Sequence, residues 1–418
     1  MFRSLLFKVI YTVIMFLATI LLGNIVHPEQ FGAISLLVLN TALFSLVTGI
    51  GADTMIMHML GNNKWSIDEA VHFMWRTIAL QFAFFFILEI GCIALFKMAL
   101  LSAAKGLNFF FIDLIYFTGV VFVEKFIALF YSTHKATFVN MILSGIAITY
   151  LGLLAVFYFW LKVHLMVIIY SFAIQSLMQG IVLFFTFFSK YEFKGSAISN
   201  KEIAFFLRIS SVVMITNIIQ LLAYRVDFWI IKSYFSNYEV GIYTQANKFA
   251  NLIWLVPNIV AQLLIPKYLF LQKEQLSKIF RLSFISNLLI VLATILITRM
   301  FYLYFLNSEY REGLSAFYLM LPGYFFWAMV IYFAGYFSWQ GKFRYNLFGS
   351  MGCLLVILVT DFLLIPRFSY NGAAIANTVA YTIIFCYYVF MIIKSGTFSV
   401  KELFIPRRKD IQQIMILK

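Results

Sequence analysis

The sequence predicts an all-α polytopic membrane protein of about twelve transmembrane helices, in two six-span halves. Three observations carry that prediction. Apolar residues make up 63% of the chain and charged residues 11%, far from the rough half and quarter of soluble domains. The apolar residues come in blocks of about 20, the length needed to cross a hydrocarbon core roughly 30 Å thick. The second half of the chain repeats the plan of the first.

The apolar blocks place spans near residues 6–26, 32–56, 75–98, 109–131, 138–160 and 165–188, then 204–232, 240–265, 282–305, 314–339, 345–365 and 372–394. The first block follows Arg3 and Lys8 as a signal peptide would. It runs on for about two dozen residues without a small-residue cleavage pattern, so it is read as a retained span. Of the 31 Lys and Arg, seven (Lys97, Lys105, Lys162, Lys232, Arg299, Arg311 and Arg367) fall in the odd-to-even connections or at the span ends that lead into them. Three, Lys125, Arg225 and Lys248, lie at depth, and all others fall on the opposite side. That bias puts both termini in the cytoplasm. The longest connections, around 189–203 and 266–281, are then cytoplasmic as well.

The same bias accounts for the formal charge of +14, so no nucleic-acid partner is expected; the partner is the lipid bilayer. Cys92, Cys353 and Cys386 have no short spacing, and the five histidines are scattered, so neither a disulfide framework nor a metal site is expected. The chain has no glycine-rich phosphate cradle and no nucleophile–base constellation, which argues against an ATP-driven pump and against an enzyme.

The repeat rests on "PEQFGAIS", Pro28 to Ser35, and "NYEVGIYT", Asn237 to Thr244. Aligning Gly32 with Gly241 gives an offset of 209, half of the 418-residue chain. Each segment takes in an outer turn bearing a glutamate, Glu29 or Glu239, and opens a return span. Two halves of the same orientation form a parallel repeat, with a site expected between them near mid-membrane. The expected domains are 1–200, an N-terminal bundle; 201–394, a C-terminal bundle; and 395–418, a basic cytoplasmic tail.

Charges at bilayer depth mark hydrated paths or paired sites. Arg225 and Lys248 lie at matching distances before and after the turn near Ser236 and Asn237, roughly 10–12 Å below the outer ends of their spans at 1.5 Å per residue. On span eight Thr244, Asn247, Lys248, Asn251, Asn258 and Gln262 form one polar stripe, and on span seven Ser210, Asn217, Gln220 and Tyr224 do so. Arg225, Lys248, Asn247, Asn251, Tyr224 and Asn217 are the candidate substrate-binding residues, because a cationic layer favours an anionic ligand and a guanidinium matches phosphate. Asp227 is two residues from Arg225 and cannot face it; pairing of Asp227 with Lys248 is the bland alternative. In the first half Asp113 and Glu124 share a face of span four, with Lys125 beside it. Asp227, Glu124, Asp113 and Lys125 are candidate ion-coupling or cavity charges, and Glu89 and Asp361 are further buried carboxylates. Pro257 is the candidate hinge. "GAAIANTVA", Gly372 to Ala380, permits close helix contact.

The stretch "YRVDFWIIKSYFSNYEVGIYTQANKFANLIWLVPNIVAQLLIP" resembles the central hairpin of bacterial polysaccharide and O-antigen flippases of the multidrug/oligosaccharidyl-lipid/polysaccharide exporter superfamily. The matching elements are Arg225-x-Asp227, Val240-Gly241-Ile242-Tyr243, Ala246, Pro257 and Pro266; "HPEQFG" and "IPRFSYNGAAIA" resemble the family more weakly. The resemblance implies two bundles forming a V around a central cavity in the bacterial inner membrane. It implies ion-coupled alternating access, with H+ or Na+ and no cofactor, moving undecaprenyl-pyrophosphate-linked O-antigen repeat units from the cytoplasmic to the periplasmic leaflet. The O-antigen polymerase and other assembly proteins are the implied partners. Pyrophosphate contact carries over onto Arg225 and Lys248, and the acidic cavity residue onto Asp227. Asp113, Glu124 and Lys125 match no family motif. A drug exporter of the same superfamily and a membrane O-antigen polymerase are the alternatives.

Overall fold

The computed structural model describes residues 2–161, 163–192, 200–264, 272–405 and 407. Pro266, Lys162, most of the basic tail, parts of the two long connections and the side chain of Gln262 lie outside the described residues. All regular structure among the described residues is helical. The helices are α1 (Phe2–Ile25), α2 (Pro28–Gly49), α3 (Ala52–Gly61), α4 (Ile67–Phe96), α5 (Leu107–Ser132), α6 (Ala136–Phe159), α7 (Leu165–Phe188), α8 (Asn200–Tyr234), α9 (Asn237–Leu264), α10 (Lys273–Tyr304), α11 (Gly313–Trp339), α12 (Phe343–Lys394) and α13 (Val400–Phe404).

Ten helices among the described residues are long and apolar enough to cross a membrane. This is a multi-pass membrane protein. α9 is not among the ten, because Thr244, Gln245, Asn247, Lys248 and Asn251 dilute its apolar face. α12 counts once although it is two spans: its 52 residues would extend about 78 Å as a straight helix. Ser369 breaks it with φ 51° and ψ −138°. The Tyr388 hydroxyl then donates to Asn346 Oδ1 at 2.9 Å, and that of Tyr387 to the Tyr345 carbonyl at 3.3 Å, so the second half runs back along the first.

One expected span is likewise two helices. Ile50 and Gly51, both in left-handed conformation (φ 48° and 67°), separate α2 from α3. A β-carbon at Gly51 would sit 2.5 Å from the Ser210 carbonyl oxygen on α8, so the break is shaped around the neighbouring backbone.

The chain forms two compact units, Met1–Leu221 and Leu222–Lys418. In the first, α1 packs along α6, and α5 packs along α7 and against α3. In the second, α11 is central and packs along α9 and α12.

The two units share details that the sequence match only hinted at. The backbone N–H of His27 donates to Gln30 Oε1 at 3.0 Å, and 209 positions on the N–H of Ser236 donates to Glu239 Oε2 at 3.0 Å. The same side-chain cap therefore opens α2 and α9, satisfying a donor that a helix start leaves unpaired. Gln30 is the equivalent of Glu239, so Glu29 is not the glutamate that matters in the first turn. In the fourth span of each half, a glycine meets the sixth span with no room for a carbon. A β-carbon on Gly119 would lie 2.5 Å from the Leu177 nitrogen, and one on Gly323 would lie 2.5 Å from Thr378 Cα. Thr378 belongs to the small-residue stretch after Gly372, where close contact was expected.

Candidate functional site

In the second unit the α8–α9 hairpin builds a network around Asn247, a residue 1% exposed. Arg225 Nη1 donates to Asn247 Oδ1 at 2.5 Å, and Asn251 Nδ2 donates to the same oxygen at 2.7 Å. Asn247 Nδ2 donates in turn to the Tyr324 hydroxyl on α11 at 2.7 Å. The guanidinium carbon also stands 5.5 Å from the Phe228 ring centroid. A guanidinium carries five N–H donors and the bond to Asn247 uses one of them. Lys248, half-buried one residue beyond Asn247, is near enough to Arg225 for the two cations to repel.

Aromatic rings enclose this network. Trp254 stacks on Tyr324 with centroids 4.3 Å apart and planes 10° apart, and its Nε1 donates to the Tyr324 carbonyl at 3.0 Å. Tyr224 packs edge-on against Trp327 at 5.6 Å. Asn217, half-buried, belongs to the part of α8 that groups with the first unit. Pro257 is buried, and α9 continues through it as helix.

Asp227 serves a second network. It is 1% exposed and accepts from the Tyr243 hydroxyl, from Asn377 Nδ2 at 2.9 Å and from the Phe228 N–H at 2.9 Å. Asn377 Nδ2 also reaches the Tyr243 hydroxyl at 2.7 Å. Arg225 and Asp227 thus bond to different partners, as their two-residue spacing requires. Asp361, fully buried on α12, is close enough to Asp227 for their charges to repel, and neither of its carboxyl oxygens has a hydrogen-bond partner among the described residues. Buried polar atoms are normally satisfied, so this one asks for an explanation.

The first unit separates residues that share a face in the sequence. Asp113 is fully buried and accepts from the amides of Leu101 (2.9 Å) and Ser102 (3.0 Å). Glu89 accepts from Leu100 N–H at 2.9 Å, and Asn40 donates to the Leu101 carbonyl at 2.7 Å. These three side chains, from α5, α4 and α2, pin the connection between α4 and α5. Asp113 is therefore taken up by backbone amides, whereas Glu124, three turns along the same helix, accepts from Ser45 at 2.6 Å. Lys125 is fully buried and pairs with Asp53 of α3 at 2.8 Å. Gln81 of α4 donates to the Ser45 carbonyl at 3.3 Å.

Sequence reasoning missed Tyr243, Asn377, Tyr324 and Asp53. Each bonds to a residue that it had singled out, from 16 to 150 positions away. Asn377 was legible only as part of a small-residue stretch, although an amide there was the signal of a polar partner.

The profile of the family described as "polysaccharide biosynthesis protein" matches residues 1–268. The chain belongs to this family. Among curated proteins none matches it by sequence. Among solved structures, the lipid II flippase MurJ in an inward closed conformation superposes with a TM-score of 0.72 at 15% identity, over 95% of this chain and 89% of that one. An inward-facing MATE family multidrug transporter of the MOP superfamily superposes with a TM-score of 0.67 at 15% identity, over 93% and 96%. A MOP superfamily transporter from Pyrococcus furiosus gives 0.60 at 14% identity, over 95% and 96%. The family member described here thus has the fold of these transporters, a transporter-type architecture with two helical bundles.

Proposed function

We propose that this protein is a flippase for undecaprenyl-pyrophosphate-linked O-antigen or related polysaccharide repeat units, moving them from the cytoplasmic to the periplasmic leaflet of the bacterial inner membrane with both termini in the cytoplasm. The observation that carries this reading is Arg225, a permanent cation in a membrane-spanning hairpin, held by Asn247 in a member of the polysaccharide biosynthesis family. Arg225 and Lys248 bind the pyrophosphate; Asn247 fixes the guanidinium, and Asn247 and Asn251, with Tyr224 and Asn217, offer hydrogen bonds to sugar. Pro257 is the bending point of α9. Counted by spans rather than by the contact units Met1–Leu221 and Leu222–Lys418, the proposed functional divisions are 1–200, 201–394 and the basic tail 395–418.

Transport is coupled to H+ or Na+, and the two carboxyls of Asp227 and Asp361 are its centre. They lie deep in one unit and repel each other, and Asn377 and Tyr243 donate to Asp227 alone of the two. An arrangement of that kind gains from binding a cation or a proton. Glu124, Lys125 and Asp113 are charges of the first unit that respond to the same cycle. The polymerase and other assembly proteins take up the product on the far side.

The test is complementation of a strain deleted for the gene. Arg225→Ala is expected to abolish surface glycan at normal protein abundance, with lipid-linked repeat units retained on the cytoplasmic side, and Arg225→Lys to restore only part. Full surface glycan in Arg225→Ala defeats the pyrophosphate assignment. An unchanged glycan with new drug sensitivity in the deleted strain identifies a drug exporter.

A further inference from the structure

The first unit contains a cavity of about 780 Å³ between α2, α4, the α4–α5 connection and the first part of α8. Its walls include Phe44, Phe84, Leu88 and Met214, and no formally charged side chain lines it. The three polar residues in the lining direct donors to backbone carbonyls. Asn40 donates to Leu101 at 2.7 Å, Thr48 to Phe44 at 2.7 Å and Ser211 to Arg208 at 2.6 Å. Apolar cavities of this kind stay dry and take apolar occupants.

The cavity also opens at the surface of the unit. Val47, Phe84 and Leu88 line it and are exposed on the helix surface, Phe84 and Leu88 one turn apart on one side of α4. Its volume is in the range of pockets that bury a small ligand, on the order of 25 times the ~30 Å³ of one water molecule. That is room for about five isoprene units at five carbons each.

We infer that this cavity holds the isoprenoid chain of the lipid-linked substrate, as a tail site separate from the Arg225 network. The inference rests on the lipid-linked substrate proposed above. A methyl-branched, unsaturated chain needs more width than a straight acyl chain and gains from the aromatic faces of Phe44 and Phe84. The absence of charge and of inward donors rejects a pyrophosphate or a sugar. The pinned connection supplies the closed end: Glu89, Asp113 and Asn40 turn its polar backbone away to leave Leu100 and Leu101 on the wall.

The experiment uses the full chain in phospholipid nanodiscs and a benzophenone-bearing polyprenol without phosphate, beside a phospholipid bearing benzophenone on an acyl chain. After illumination the labelled peptides are mapped. The polyprenol is expected to label the segments around Phe84–Leu88 and Met214 at least five-fold more than the phospholipid does, with competition by unlabelled polyprenyl phosphate. Leu88→Trp and Val47→Trp, each filling the cavity from its open side, are expected to cut that labelling several-fold in monodisperse protein. Equal labelling by the phospholipid, or polyprenol label spread over the other bilayer-facing helices, overturns the inference and can be read on the wild-type chain alone. Because the probe has no phosphate, labelling retained in Arg225→Ala supports the tail site even if the pyrophosphate assignment fails.

Discussion

Replacing Lys125 by methionine isolates the energetic role of the buried ion pair. Lys125 is fully buried, and the side chain of its partner Asp53 is 30% exposed. Removing one member of a fully buried pair costs about 3–5 kcal/mol, because the other charge is left uncompensated. Water reaching the partly exposed Asp53 reduces this to about 2–3 kcal/mol. The Glu124 carboxyl lies near enough to Asp53 to repel it, which keeps the loss from falling further. For a unit of this size the corresponding fall in Tm is roughly 5–10 °C. The assay is thermal unfolding of the purified protein in detergent, followed by tryptophan fluorescence, on Lys125→Met, Asp53→Asn and the double variant. With both charges gone, an apolar substitute of similar volume is close to neutral. The double variant is therefore expected to lose only about 1 kcal/mol, and, with each single change costing about 2–3 kcal/mol or more, the cycle to give a coupling of about 3–5 kcal/mol. Lys125→Met melting with the wild type, or a double variant no better than the single, refutes the reasoning.

Other perturbations follow from the same contacts. Gly119→Val and Gly323→Val each drive a side chain into facing backbone, and each is expected to cost about 3 kcal/mol or more, read as loss of folded protein in detergent extracts. Asp113→Asn weakens the charged acceptor for two amides, so hydrogen exchange at Leu101 and Ser102 is expected to speed up about ten-fold or more, while exchange in α7 stays unchanged. At the C-terminal end, Ser399 N–H donates to Glu402 at 2.8 Å, and this cap, helped by Lys273, holds the Glu402 carboxyl below its ordinary value. A depressed acid stabilises above its unfolded value and loses that contribution as pH falls through its folded one. Exchange at Leu403 is therefore expected to be slow at neutral pH and to exceed the intrinsic pH trend only below about pH 4, and Glu402→Gln is expected to remove the effect.

The sequence carried the span plan because membrane crossing is written in local composition. It carried the α8–α9 hairpin because the polar stripes of Asn247 and Asn251 and of Tyr224 have helical spacing. It did not carry the break at Ile50–Gly51, since two left-handed residues inside an apolar run leave mean hydropathy unchanged. The partners of the singled-out charges were out of reach for a different reason. Helix periodicity says which face a residue occupies, while Tyr324 and Asn377 meet that face only through packing of helices distant in the chain. Asp113 and Glu124 make the same point: one face of α5 spans two environments, a loop at one end and α2 at the other.

The doubled architecture has a use beyond its description. Six positions after the close-contact glycine, the first half carries Lys125 and the second Met329; Gln81 and Lys125 both reach the space beside Gly49 in one case, and Asn287 lies 3.4 Å from the Met329 sulfur in the other. Each half is thereby an internal control for its twin. The second half closes around a thioether where the first keeps an ammonium, so the scaffold itself does not require a charge at that address. In the first half the ammonium is the partner of Asp53, so a chimera exchanging those positions has to carry that carboxylate with it.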